Sequence, residues 1–482
     1  MTIKPYWQNY IAGQWHDAAD GERIVVQDPA SEEVIAEVAR AGRAEVDMAV
    51  AAARACHQSR ALIDMRPIER GRMVVGMGRY LSEHLDEIAR VLTYESGKPL
   101  EQAKIEVTGA ARYLEYYGSH ADKMEGRSVP LGGQYYDFTV YEPYGVTAHI
   151  IPWNYPIEMA ARSAAAALAT GNTVVVKSPE LDPLSIYYLA DAAEAVGLPK
   201  GALNILAGYG HEAGAQLSEH PDVNMIVFTG SVETGKTIMT AAAKNVVPTV
   251  MELGGKSAAI VFPDADMSEL ASSTQWGIFM NSGQVCSAMS RMLVHRSASD
   301  EVAETLSKMR NTLTMGHGID EHFISPIISQ QQLDKVADYC QVGFSEGASA
   351  VFGGHKAAVD KGFFMEPTVF QGVGADSRIA QEEIFGPVLS IIEYDDVDEA
   401  IAIANGTDYG LVAGVFTRDI NRAMYCAQRL EAGQVFINEW YAGGVETPFG
   451  GFRKSGFGRE KGLEAMFNYV QTKNIAVRLH SP

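Results

Sequence analysis

What the sequence lacks narrows its class before any motif is considered. Cysteine is scarce: Cys56, Cys286, Cys340 and Cys426 are scattered over 482 residues, with no CxxC pair and no run at metal-ligand spacing. That argues against a disulfide framework and against a bound metal, and a reduced, cytoplasmic setting is expected. Basic residues are in deficit, 39 Lys and Arg against 60 Asp and Glu, for a formal charge of −21. Such a chain is a poor general partner for nucleic acid or an anionic membrane. No stretch approaches the ~20 uninterrupted apolar residues of a membrane span, because Pro, Gly or charge breaks each candidate. The opening Met1-Thr2-Ile3-Lys4-Pro5-Tyr6-Trp7 has no basic region followed by a long apolar stretch, so no signal peptide is expected. Internal repeats and low-complexity segments are also missing. A soluble protein is expected.

What is present is the material of a packed enzyme. Hydrophobic residues make up 47% and charged residues 21%, ordinary for a globular chain. A single core stops growing at roughly 250–300 residues, so this length implies two or three domains. Residues 10–40 read as short strands and turns. Helical spacing runs over Glu45–Ser59 and Pro67–Ser96, and a third helix over Tyr113–Lys123, ended by Gly126. Tyr135–Tyr141, rich in Tyr, Phe, Thr and Val, reads as a hairpin strand ending near Pro143.

From Gly145 the pattern becomes strand–helix–strand. Strands are expected at Val146–Ile150, Asn172–Lys177, Ala202–Leu206, Met225–Phe228 and Thr249–Leu253, with helices at about 157–170, 183–196, 211–219 and 231–243. Such alternation implies parallel strands with crossover helices, and a cofactor site at the carboxyl ends of the strands. A second α/β alternation runs from Ser257 to about Phe436. A Gly-rich loop, a short helix from about Arg459 and a strand-like Asn474–Leu479 close the chain.

Two glycine patterns mislead. Gly230-Ser231-Val232-Glu233-Thr234-Gly235-Lys236-Thr237 matches the phosphate-loop pattern GxxxxGK[ST] in its required context, after an apolar strand and opening a helix. A nucleotide hydrolase is therefore a rival reading. Against it, bulky residues fill the loop where backbone amides would wrap a triphosphate, and Glu233 adds negative charge. Gly208-Tyr209-Gly210-His211-Glu212-Ala213-Gly214 has its last glycine one residue late for GxGxxG, and a tight turn is the simpler reading.

Three other segments describe a reaction site. Asn281-Ser282-Gly283-Gln284-Val285-Cys286-Ser287 surrounds a cysteine with small and polar residues, as a loop exposing a thiol requires, although an isolated Cys is usually buried and structural. Glu252-Leu253-Gly254-Gly255-Lys256 ends a strand in an acid followed by glycines. Pro152-Trp153-Asn154-Tyr155-Pro156 brackets an Asn at another strand end, where an ordinary turn is the plain alternative. A nucleophilic thiol needs an oxyanion donor, which Asn154 can be, and a base for water, which Glu252 can be.

With these segments in order, the chain resembles the aldehyde dehydrogenase superfamily from Asn9–Gly13 to Lys473. The matching blocks are Pro152–Pro156, Lys177–Glu180, Phe228–Ser231, Glu252–Ser257, Gly283–Cys286, Glu382–Val388, and Pro448–Gly451 with Lys454–Gly456. The resemblance implies a Rossmann-like NAD-binding domain at 1–125 and 146–252 and an α/β catalytic domain at 253–447. It further implies a small β oligomerisation arm and tail at 126–145 and 448–482. It makes Cys286 the nucleophile that forms a thiohemiacetal and then a thioester, Asn154 with the Cys286 amide the oxyanion donors, and Glu252 the activator of hydrolytic water. For the cofactor it assigns Ser231 and Gly230 to the pyrophosphate, Lys177 and Glu180 to the adenine ribose, and Glu383 to the nicotinamide ribose. Phe385, Ile151, Trp153 and Leu253 are also assigned to the cofactor. One departure stands out: many relatives carry a Lys, linked to proton movement near Glu252, where this chain has Ser163. A non-catalytic family member is the rival from another class, and the intact Cys286, Glu252 and Asn154 weigh against it.

The resemblance also suggests a substrate. Arg162 falls where relatives acting on betaine aldehyde and aminoaldehydes have an aromatic wall that holds a cation, and a guanidinium there would repel one. Met280 replaces another of those aromatics. Succinic semialdehyde dehydrogenases match Arg162, but their second Arg falls at Met280, so the anion clamp is half present. Gly109 and Gly443 align with bulkier residues, and Tyr155, Trp440 and Tyr441 offer aromatic surface. Val285, Ser287 and Phe449 complete the expected tunnel. A bulky aldehyde, aromatic or carboxylate-bearing, is expected, with betaine aldehyde or aminoaldehydes as the alternative class. Arg162 has a local reading too: an i,i+4 pair with Glu158, worth ~0.3–0.5 kcal/mol. A homodimer or homotetramer is expected, because the arm and the terminal segment would leave unpaired sheet edges on a monomer.

Overall fold

The computed structural model describes residues 3–320 and 322–480; Met1 and Thr2, at the start of the segment read as lacking a leader, lie outside them. The run Thr173-Val174-Val175-Val176-Lys177-Ser178 forms a strand buried at every position. A continuous β-branched run is what a parallel strand covered on both faces requires. It belongs to an eight-stranded sheet whose five central strands are parallel. In spatial order they are Thr249–Glu252, Met225–Thr229, Val146–Ile150, Thr173–Ser178 and Leu203–Ala207. The antiparallel hairpin Asn9–Ile11 and Gln14–His16 extends one edge, and Gly456–Phe457 the other. The chain starts in the middle, steps twice to one side, then returns to fill the other. The reversal therefore falls between Val146–Ile150 and Met225–Thr229, and a crevice opens beyond their carboxyl ends.

Helix Pro156–Ala169 packs under this crevice. Proline at its first turn sets the entry, and its alanines let helix Leu100–His120 approach closely. The second sheet has seven strands, in the order Ser349–Phe352, Thr368–Gln371, Val388–Tyr394, Arg291–His295, Ala258–Val261, Val412–Phe416 and Gln434–Ile437. All pairs are parallel except the first. Separate buried clusters fill the flanks of each sheet.

Several boundaries differ from those read in the sequence. The helical stretch 67–96 is two helices, Pro67–Glu83 and Leu85–Ser96, jointed at His84. The helix expected from Tyr113 already begins at Leu100 and stops at His120. Gly126 ends no helix: a Cβ there would lie 1.7 Å from the Thr139 carbonyl oxygen, so glycine serves a close chain crossing. The segment 211–219 opens as a wide π turn, Gly210–Gly214, and the helix expected from Arg459 is Glu464–Asn468. The edge argument also changes. Tyr135–Pro143 pairs along its length with Val470–Arg478 of the same chain, and with Ser128–Val129 on its other side. Val470–Arg478 is one open edge of this sheet; the other is Ser128–Val129, which covers only Asp137 and Phe138 of Tyr135–Pro143. Among the described residues no helix is long and apolar enough to cross a membrane, and no cluster of His, Cys, Asp and Glu could hold a metal ion.

Candidate active site

Two cavities meet at one residue. The larger, about 700 Å³, and the smaller, about 180 Å³, share Cys286 alone among the described residues. Local backbone sets the thiol there. Asn281, Ser282 and Gly283 stand in succession at φ of 48°, 50° and 70°, a conformation that costs non-glycine residues roughly 1–2 kcal/mol each. Gly283 admits no side chain, because a Cβ would sit 2.1 Å from the Gly386 carbonyl oxygen. Hydrogen bonds hold the strained turn: the Ser282 hydroxyl donates to Ser325 O (2.6 Å), and the Asn281 amide donates to Gln102 Oε1 (2.8 Å). The Ile328 amide donates to Gln284 Oε1 at 2.9 Å. Strain kept in place by so many contacts is typical of a working site.

Asn154 follows the strand Val146–Ile150 and is buried. Its Nδ2 donates to Gln284 O at 3.0 Å, which leaves its second N–H free beside Cys286 in the smaller cavity. Glu252 ends the strand Thr249–Glu252 in the same cavity. Both its carboxylate oxygens are buried without a hydrogen-bond partner. Burial holds its carboxyl well above the usual range, Glu460 adds to that, and Arg162 and Arg459 oppose it. Part of Cys286 remains accessible, yet its sulfur lies deep enough that burial pushes the thiol up to about 12. Arg162 opposes this, and Glu252 and Glu383 add to it.

The smaller cavity is built by loops leaving the first sheet, with Trp153, Gly230, Ser231 and Leu253, and by the loop carrying Glu383 and Phe385. Ser231 caps helix Val232–Asn245, accepting from the Thr234 amide. Such a helix start favours an anion. Glu383 uses Oε1 to accept from the Gly255 amide at 2.9 Å, and the Phe385 ring meets Trp153 edge-on at 5.2 Å. These groups fit a dinucleotide: a helix start for phosphate, a carboxylate oxygen for a sugar hydroxyl, and an aromatic wall. Three residues expected with them stand outside the enclosed space. Ile151 and Lys177 are joined through their backbones, while the Lys177 ammonium reaches Gly208 O (3.3 Å) and Glu180 (3.2 Å) at the next strand end. Lys236 of the phosphate-loop pattern pairs with Glu233 at the surface, away from any cradle.

Tyr155, Arg162, Met280, Val285, Ser287 and Phe449 all line the larger cavity. Gly109 and Gly443 do not. The first backs onto the Glu158 carboxyl, 3.1 Å from where its Cβ would be, and the second packs against Thr447. Arg162 lines the cavity as expected, but its partner is not Glu158. It forms a buried ion pair with Glu460, which outweighs the effect of burial and keeps the guanidinium charged. Ser163 donates back to Met159 O at 3.0 Å, inside its own helix. The cation that lines the cavity without an ion-pair partner among the described residues is Lys461, 5.6 Å over the Phe449 ring. Neither Lys461 nor Trp276, another lining residue, carries a local sequence signal.

The family model for "Aldehyde dehydrogenase family" matches residues 15–475. Hydroxyisobutyraldehyde dehydrogenase of Mycolicibacterium austroafricanum is 41% identical over 473 residues, covering 98% of this chain and 93% of that protein. Mitochondrial benzaldehyde dehydrogenase of Antirrhinum majus is 39% identical over 491 residues, covering 100% and 91%. The NAD+ complex of aldehyde dehydrogenase from Bacillus cereus superposes with a TM-score of 0.97 at 38% identity, covering 98% and 97%. Together with a strained cysteine loop set between two cavities, these likenesses establish that the chain belongs to the aldehyde dehydrogenase family.

Proposed function

We propose that this enzyme oxidises a bulky aldehyde to its carboxylic acid with NAD, through a thioester on Cys286. The observation that carries the reading is the position of Cys286 as the one residue, among the described residues, common to both cavities. The aldehyde enters from the larger cavity, and the sulfur, its proton passed to solvent, bonds to the carbonyl carbon. The carbonyl electron pair moves onto oxygen, and the free N–H of Asn154 donates a hydrogen bond to that oxyanion. NAD, held by Ser231, Glu383, Trp153 and Phe385, with Lys177 and Glu180 at the adenosine end, supplies the hydride acceptor when bound. Glu252 then takes a proton from water, the water oxygen bonds to the thioester carbon, and the carbon–sulfur bond breaks to release the acid. Ser163, which stands where many relatives have a lysine for this proton, bonds within its own helix instead. The charged groups acting on Glu252 are the Arg162–Glu460 pair and Arg459.

The substrate is bulky and aromatic. The wall of the larger cavity offers Trp440, Tyr441, Tyr155, Trp276 and Phe449, and the charge of Arg162 is cancelled by Glu460. Lys461 favours a carboxylate-bearing aldehyde as the second choice. Supply NAD with matched aromatic, carboxylate-bearing and trimethylammonium aldehydes, and follow the reduced cofactor. The aromatic member has the highest kcat/KM; a best rate with betaine aldehyde would contradict the assignment.

On the same reading, residues 1–125 and 146–252 are the NAD-binding domain, residues 253–447 the catalytic one, and 126–145 with 448–482 the oligomerisation arm and tail, although Gly456–Phe457 pairs on the edge of the first sheet. The chain assembles as a homodimer or homotetramer through the open edge of Val470–Arg478. Tyr135, Tyr136, Phe138 and Val477 are exposed on that arm. Four unpaired cysteines fit a cytoplasmic setting. Light scattering at dilute concentration checks the assembly, and a monomer mass with full activity would overturn it.

A further inference from the structure

A lysine and a glutamate lie buried behind the site, in roles that the chemistry above does not use. Leu85–Ser96 ends at Gly97, whose φ of 75° closes the helix, and Pro99 opens the next one. Between them Lys98 is turned inward, and it forms an ion pair with Glu106; their side chains are 1% and 0% exposed. The Lys98 ammonium also donates to the Asn154 carbonyl at 2.9 Å and stands 4.0 Å over the Tyr155 ring. Glu106 in turn accepts from the Glu158 amide (3.5 Å), one of the unpaired donors in the first turn of helix Pro156–Ala169.

A buried ion pair seldom stabilises a fold more than apolar residues of the same size would. Its value here lies in what it aims. Gln102 and Glu106, one turn apart on helix Leu100–His120, share a face, and each grips one of the two loops of the site. Gln102 holds the Asn281 amide, and Glu106 with Lys98 holds Asn154. The loops are then tied to each other: Asn281 Nδ2 donates to the Asn154 carbonyl (3.1 Å), and Asn154 Nδ2 donates to Gln284 O, two residues before Cys286. With its carbonyl pinned by two donors and one amide N–H spent, Asn154 has a single orientation for the remaining N–H.

We propose that Lys98, anchored by Glu106, is a positioning residue that fixes the oxyanion-binding N–H of Asn154 relative to Cys286. This rests on the reading of Asn154 as the oxyanion donor. Such a donor acts only within about 2.7–3.1 Å of the developing charge, and misplacement by an ångström costs up to about 10²-fold. Losing Lys98 therefore slows formation of the thiohemiacetal and hydride transfer, with little effect on KM.

A double-mutant cycle tests this in the full-length enzyme with NAD. Single-turnover formation of reduced cofactor is measured for wild type, Asn154→Ala, Lys98→Met/Glu106→Gln, and the combination of all three changes. The paired Lys98/Glu106 substitution removes both members of the ion pair, so neither is left buried without the other; Lys98→Arg is a second route that keeps the charge. The expected result is a slowing of about 10-fold or more by Lys98→Met/Glu106→Gln, which vanishes in the Asn154→Ala background, and partial rescue by Lys98→Arg. A slowing of equal size in both backgrounds, or no slowing at all, would overturn the positioning role while leaving Asn154 as the donor. A wild-type rate in Asn154→Ala would instead overturn the donor reading itself, and this proposal with it.

Discussion

The two large sheets deliver their groups to the site from opposite ends. In the eight-stranded sheet, Asn154, Ser231 and Glu252 all sit where the chain leaves a parallel strand. In the seven-stranded sheet, Cys286 precedes Arg291–His295, and Glu383 and Phe385 precede Val388–Tyr394, so these groups lie where the chain enters a strand. The rule that ligands bind beyond carboxyl ends of strands thus finds only the first half. The second half is reached through strained loops: Phe385 has a φ of 60°, like Asn281 and Ser282. One sheet offers open strand ends for a cofactor, and the other brings reactive groups on rigid loops across to meet it.

Breaking the contribution of the first sheet has the largest effects. Glu252→Gln removes the base for water, and steady-state turnover falls on the order of 10²–10⁴-fold. The initial burst of reduced cofactor persists in rapid-mixing traces, because hydride transfer precedes hydrolysis. If the burst disappears together with turnover, Glu252 acts earlier than placed here. Asn154→Ala comes next. Its burst rate drops by about 10²–10³ through loss of one oxyanion donor, while binding of NAD measured by fluorescence stays unchanged.

A smaller effect sharpens the electrostatic side. Burial and Glu460 raise the Glu252 carboxyl, and Arg162 opposes them. A base works only when deprotonated, so a raised pKa means that hydrolysis of the thioester gains rate as pH rises. Removing the opposing cation raises the pKa further. Arg162→Met therefore moves the rising limb of kcat against pH to higher pH; a shift to lower pH, or none, would show that the pair does not act on Glu252. The smallest effect is at the adenosine end. Glu180→Ala, which deletes an acceptor for the ribose 2′-hydroxyl, shifts the ratio of kcat/KM for NADP over NAD upward by about tenfold. Cofactor titrations of both proteins measure it.

The parallel strands of the eight-stranded sheet were legible to within one or two residues, since runs such as Val174-Val175-Val176 are apolar throughout and fully buried. Helix Leu100–His120 was not legible from its start, because Gln102 and Glu106 are polar residues on its buried face and break the apolar periodicity. The same two residues are the ones that grip the site loops, so function hid the helix. Arg162 shows a second limit. Its neighbour at i,i+4 was visible, but Glu460 reaches it only through the antiparallel bridge of Phe449 and Glu460 near the end of the chain. Local spacing carries no trace of such a pairing, and the same holds for Lys98 behind Asn154.

The proposed thioester places the acyl group on Cys286, the one described residue common to the two cavities. Glu252→Gln enzyme, mixed with NAD and an aromatic aldehyde and quenched during the slow phase, is digested and its acylated peptide mapped by mass spectrometry. The expected result is one adduct, with the mass of the acyl group, on Cys286. An adduct on Cys56, Cys340 or Cys426, or full turnover by Cys286→Ala, would contradict it.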